Sequence, residues 1–107
     1  MTNERRQSRR YLTNLPMSLS FRDRNLEGYC NDIAENGLGA FLPERIPLGS
    51  VGWVKFVVPT HPTELHVQVA VRHQFGFQHG LAFLSLGEAE RLAIRQFCTQ
   101  LPSVSSD

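Results

Sequence analysis

Cysteine is scarce in this 107-residue chain. The two present, Cys30 and Cys98, are far apart and outside any C-x-x-C spacing, so two reduced thiols are expected rather than a disulfide framework. No apolar run approaches the roughly 18 residues that span a bilayer, which excludes an inserted helix. The first residues lack the apolar stretch of an export signal, and a cytoplasmic location without membrane insertion is expected. Catalytic signatures are missing as well: there is no phosphate-binding G-x-x-x-x-G-K, no G-x-S-x-G and no H-E-x-x-H. The four histidines (His61, His66, His73, His79) lack metal-ligand spacing and read as surface or barrel-edge residues. Asp32 and Glu35 stand three apart across an extended segment and its turn, so they need not converge as an acid–base pair. No enzyme activity, cofactor or metal is expected.

Lysine is the other shortage. Ten of the eleven basic residues are arginine, with Lys55 the exception. A genome rich in G and C produces the same skew, but arginine is also the better residue for forked bonds to phosphate and for stacking on flat rings. The net charge of +1 hides an asymmetry: residues 1–10 hold four Arg and one Glu, while the remainder holds seven basic and nine acidic groups. The arginines form two interleaved R-x-x-x-R registers, Arg5 with Arg9 and Arg6 with Arg10. With no apolar side chain after Met1 to bury, this leader is expected to be mobile when unoccupied.

A hydrophobic share of 41% and a charged share of 20% place the chain among ordinary globular domains, with length for one core. From Leu15 the pattern has period two: Met17, Leu19 and Phe21 alternate with polar neighbours, as in a half-buried strand. Residues 22–28 read as a turn, 29–34 as extended and 35–37 as an interruption. There Gly37 is expected to serve a positive φ or a close approach. Short strands are expected at 38–43, 51–58, 64–73 and 81–84, with turns at 59–63 and 75–80. About six antiparallel strands divided by turns point to a small closed or nearly closed barrel.

The C-terminal stretch changes period. Ser85 and Glu88 have the spacing of a capping box, and Leu86, Ala89, Leu92, Ala93 and Phe97 follow at helical spacing. One amphipathic helix is expected over about residues 86–100, lying on the barrel and ended by Pro102. The expected organisation is a leader over residues 1–12, a barrel with its helix over 13–101, and a polar tail over 102–107. Trp53 and Phe56 read as packing residues within a strand.

"RRQSRR" (5–10) followed by "NDIAENGLGA" (31–40) resembles the PilZ domain family, whose marks are R-x-x-x-R and, some twenty to thirty residues later, [D/N]-x-S-x-x-G. The second motif is Asp32-Ile33-Ala34-Glu35-Asn36-Gly37 here. The resemblance runs from Glu4 to about Phe97 and includes "LGAFLPERIPLGS", "VAVRH" and "HGLAFLSL". It implies a six-stranded antiparallel β-barrel with one C-terminal α-helix, in agreement with the strand count. It also implies cyclic di-GMP as ligand, two guanines on a ring closed by two phosphates. Arginine forks suit phosphate oxygens and the O6/N7 edge of guanine, and a carboxylate accepts from guanine N1 and N2.

By this resemblance Arg6, Arg10, Asp32 and Gly37 bind the ligand, with Arg5 and Arg9 in support and Ala34 at the motif's serine position. Arg72 stands where a strand end carries a stacking group toward the ligand, although an exposed arginine at a strand end has the same appearance. Replacing the serine by Ala34 removes one neutral hydrogen bond, about 1 kcal/mol or roughly fivefold in affinity. Each charged arginine bond contributes about 1.5–3 kcal/mol, so the arginines outweigh it. The implied role is a cyclic di-GMP receptor that signals to an unidentified downstream protein as the leader closes on the barrel. The alternative is a PilZ-like adaptor that binds protein and no nucleotide. Binding to polymeric nucleic acid has only the leader's charge behind it and is not expected.

Overall fold

The computed structural model describes residues 9–103. Six strands form one closed antiparallel barrel in the order β1-β2-β3-β6-β5-β4, and a single helix follows. They are β1 (Tyr11–Phe21), β2 (Arg24–Ala34), β3 (Gly37–Phe41), β4 (Val51–Phe56), β5 (Leu65–Phe75) and β6 (Gln78–Ser85), with α1 over Glu88–Cys98. Alternation fills the interior. Met17 and Leu19 of β1, Val54 and Phe56 of β4, and Leu65, Val67, Val69 and Val71 of β5 all turn inward and are buried. Cys30, Ile33, Leu38, Ala40 and Leu81 complete the lining from the other three strands.

Strand limits differ from the sequence expectation where polar residues face solvent on real strands. The segment 22–28 is not a turn: only Arg22 and Asp23 form the turn, with Arg22 at φ 58°, and β2 starts at Arg24. Its outward Asn25 and Glu27 mimic turn composition, while Leu26 is buried. Likewise β6 starts at Gln78, so the β5–β6 turn is Gly76–Phe77 rather than the whole of 75–80.

The helix is capped differently. Ser85 is the last residue of β6, held there by pairing with Gln68, and so is unavailable as a cap. Gly87 takes the cap position, and its N–H donates to Glu90 Oε1 at 2.8 Å. The helix buries Ala93, Ile94, Phe97 and Cys98, whereas Leu92 is half exposed on the opposite face. Beyond the helix, the Leu12 N–H donates to the Pro102 carbonyl at 2.8 Å and Tyr11 bridges to Ser103, so the start of β1 lies beside the end of the described chain.

His79 is not at the surface. It is 1% exposed, with Nδ1 donating to the Phe77 carbonyl and Nε2 accepting from the Ile46 N–H, both at 2.9 Å. It closes the β3–β4 connection over the end of the barrel. Phe56 is buried as expected, but Trp53 points outward and packs on the His66 ring, centroids 4.9 Å apart.

Candidate functional site

Two β-bulges shape one patch of the barrel wall. In β2, Cys30 pairs with Ala40 and Asp32 with Gly39, so Asn31 is an extra residue. Cys30 and Ile33 both point inward, which leaves Asn31 and Asp32 side by side on the outer face. In β5, Val71 pairs with Leu81 and His73 with Gly80, so Arg72 is the extra residue. Val71 is buried, and Arg72 and His73 emerge together. Gly39 and Gly80 are partners between these bulges, on β3 and β6. The outer face therefore reads Asn31/Asp32, Gly39, Gly80, Arg72/His73 across four strands.

The two central glycines make room for their neighbours. A Cβ on Gly39 would stand 2.8 and 2.9 Å from the Asp32 carboxylate oxygens and 3.0 Å from Asn31 Oδ1. A Cβ on Gly80 would stand 3.0 Å from the His73 ring. Asn31 is further held by a reciprocal amide pair with Gln78 of β6, at 2.8 and 3.1 Å, which bridges over β3.

Of the two expectations for Gly37, a positive φ or a close approach, the structure shows the second. Positive φ among the described glycines occurs at Gly49 and Gly76 only. The close approach is real, but it is to protein: a Cβ on Gly37 would collide with the Leu81 carbonyl oxygen and lie 3.2 Å from Ala82 Cα. Gly37 lets β3 pair closely with β6 at the mouth of the β2–β3 hairpin.

Above this surface lies an open groove of 390 Å3, within the range of small-molecule sites. Arg10, Asp32, Ala34, Gly37 and Arg72 all line it, so five residues singled out from the sequence converge. Arg10 Nη2 donates to Asp32 Oδ1 at 2.6 Å, joining the segment before β1 to the β2 bulge. The Arg10 side chain is 51% exposed and that of Asp32 is 18% exposed, so Asp32 is the anchored member of the pair. Arg9 is exposed and does not line the groove. Arg5 and Arg6 lie outside the described residues. Ala34 is buried at the rim and presents only a methyl group.

Sequence reasoning did not single out Asn36, His73 and Gly80, which also line the groove. Asn36 lies within the motif, and its carbonyl accepts from the Phe83 N–H at 2.9 Å, pinning the hairpin turn to β6. On the other side of that turn, Glu35 pairs with Arg95 of α1 at 3.4 Å, not with Asp32. His73 and Gly80 are set by the pairing of β5 with β6, and the only local signal for them was the "VRH" strand end.

Fold and groove together define a small β-barrel module with one charged, glycine-lined cleft on its outer wall. The chain belongs to the PilZ domain family, whose family model matches residues 4–100. Among solved structures, the Bacillus subtilis inhibitor of motility (MotI/DgrA) superposes with a TM-score of 0.77 at 16% identity, covering 92% of this chain. This chain spans about half, 51%, of that protein's length. The PilZ domain of YcgR from Escherichia coli, solved with c-di-GMP, gives 0.73 at 13% identity, covering 92% of each chain. The PilZ domain of CeSA from a cellulose-synthesizing bacterium gives 0.69 at 10% identity, covering 87% of this chain and 97% of that one. At these identities the likeness establishes the fold. No curated protein matches the sequence significantly. Among the described residues, no helix is long and apolar enough to cross a membrane.

Proposed function

We propose that this chain is a cyclic di-GMP receptor that passes the signal to a partner protein without enzyme activity of its own. The observation that carries the reading is the Arg10–Asp32 pair at the groove, the first arginine motif meeting the second motif in space. Guanidinium and carboxylate are the two groups that suit phosphate or the guanine O6/N7 edge on one side and guanine N1 and N2 on the other. Arg72 supplies a second cation on the far wall. Arg5, Arg6 and Arg9 belong to the same cationic run and close over the ligand from the N-terminal side. The family membership, and the YcgR domain solved with this nucleotide, support the choice of ligand.

In this mechanism the ligand takes over the partners of both members of the Arg10–Asp32 pair, and the residues up to Arg10 fold over the groove to form a new surface, since Tyr11 and Leu12 of the leader expected over 1–12 already belong to β1. Calorimetry with cyclic di-GMP, with GTP as control, tests binding. Saturable binding is expected, weakened about 10- to 150-fold in Arg10→Ala through loss of one charged hydrogen bond. Hydrogen exchange tests the signal: protection of residues 4–10 rises with ligand, and unchanged protection refutes the closing step. A second reading has one observation in its favour, the methyl group of Ala34 where the motif places a hydroxyl. That reading is a protein adaptor, and a protein pull-down unaffected by cyclic di-GMP or by Arg6→Ala with Arg10→Ala would support it.

A further inference from the structure

The outer surface carries a second feature that the groove does not use. Tyr29 and Phe41 are register partners on β2 and β3. Phe41 meets Phe77 edge to face, ring centroids 6.4 Å apart, and Phe75 and Phe77 flank Gly76 at the β5–β6 turn. These four rings face solvent, exposed by 54%, 52%, 47% and 88% for Tyr29, Phe41, Phe77 and Phe75. At about 200 Å2 per aromatic side chain they present roughly 500 Å2 of exposed aromatic surface in one row across β2, β3 and β5, with Gln78 of β6 between Phe41 and Phe75. The largest apolar patch on a typical monomer has this size and is often functional.

We propose that this aromatic patch joins two copies of the chain in a two-fold dimer. Area is the first argument. Two such patches face to face remove about 1,000 Å2 of apolar surface, and interfaces are about 60–65% apolar, so the whole contact comes to about 1,600 Å2. That is the size of a standard specific interface. Charge is the second. The four rings are uncharged, so self-apposition about a two-fold axis brings no like charges together at its centre. The flanking strands and the β3–β4 connection carry charges of both signs: Glu27 on β2, Arg72 on β5, an exposed Arg45, and Glu44 already paired with Arg24. A lipid surface would call for a basic rim, which this balance does not provide.

The test is sedimentation equilibrium of the ligand-free protein over a wide concentration range, with Phe75→Ser, Phe41→Ser and, as a control on another face, Leu92→Ser. Wild type and Leu92→Ser are expected to dimerise with rising concentration. Each phenylalanine variant is expected to weaken association by about tenfold or more, with an unchanged thermal midpoint. Phe75 is so exposed that its replacement leaves the core intact, and Phe41→Ser gives the second reading should either variant unfold. A wild type that stays monomeric throughout, or association equal in all four proteins, overturns the proposal. No nucleotide enters this experiment, so its outcome is independent of the cyclic di-GMP reading.

Discussion

Two glycines two residues apart on β3 should respond oppositely to the same added methyl group. In Gly37→Ala the new Cβ meets backbone, the Leu81 carbonyl oxygen and Ala82 Cα, so β3 and β6 must separate. Overpacking of this kind costs about 1–3 kcal/mol. Relief of glycine's unfolded-state entropy returns about 0.4–1 kcal/mol, leaving a net loss of roughly 1–2 kcal/mol. At about 4–8 °C per kcal/mol in a domain of this size, the melting midpoint should fall by roughly 5–15 °C. In Gly39→Ala the new Cβ meets only the ends of two side chains, the Asp32 carboxylate and the Asn31 amide. Asp32 swings away at the cost of its pair with Arg10, an exposed ion pair contributing about 0.2–1 kcal/mol, while Asn31 gives by a few tenths of an ångström within its amide pair with Gln78. The entropy gain offsets that loss, so the midpoint should stay within a few degrees, while the groove loses the carboxylate it was built around.

Thermal melts followed by circular dichroism measure the first difference, and calorimetry with cyclic di-GMP measures the second. Gly39→Ala should fold normally and bind at least tenfold more weakly, the effect of misplacing one charged hydrogen bond. Gly37→Ala should bind in proportion to its folded fraction. Equal melting losses in the two variants would refute the assignment of one glycine to the fold and the other to the site. So would a Gly37→Ala protein as stable as wild type.

Other consequences are open to measurement. Burial pushes the His79 imidazole below its ordinary pKa, the loss of hydration of the charged ring outweighing its backbone hydrogen bonds. The unfolded chain takes up the ring's proton near pH 6.5 and the folded chain only at lower pH, so stability should fall as pH drops below about 6.5 toward the lowered folded pKa, by at most about 1.4 kcal/mol per pH unit. Urea melts at neutral and mildly acidic pH should show this loss in wild type and lose it in His79→Gln. The Cys30 thiol is pushed up to about 12 and that of Cys98 to about 11, burial being the main cause in both. Neither should react with a thiol reagent at neutral pH until the chain is unfolded, and rapid labelling of the native protein would contradict the packing of both strands and helix. Glu90→Ala removes the acceptor of the Gly87 N–H and should cost about 0.5–2 kcal/mol in a chemical melt.

The barrel was legible because its inward positions are strongly apolar and alternate, as in Met17-Ser18-Leu19 and Val67-Gln68-Val69. The start of β2 was hidden because a strand with one polar face resembles a turn when Asn25 and Glu27 flank a single buried Leu26. The helix start was misplaced by a competition between two acceptors at equal spacing, Glu88 after Ser85 and Glu90 after Gly87, which strand pairing at Ser85 decides. At the site, the motif residues could be picked out one by one, and Asp32, Ala34 and Gly37 do share a hairpin with Arg10 above it. The bulges could not be read. An extra residue at Asn31 or Arg72 is defined only against its partner strand, so the pairing of Gly39 with Gly80 and the place of His73 come from register rather than composition.

The hydrogen bond from Leu12 to Pro102 and the bridge from Tyr11 to Ser103 set the entry and exit of the barrel one strand spacing apart, about 5 Å. A host chain interrupted at a surface loop would need to open only that far to carry the whole domain as an insert. The same adjacency permits circular permutation, with the ends spliced and the chain reopened in the β4–β5 connection around Pro59–Thr63. Because Pro102 and Ser103 lie against the residues that follow Arg10, tension applied between the entry and the exit would peel this seam first and reach the groove before the core.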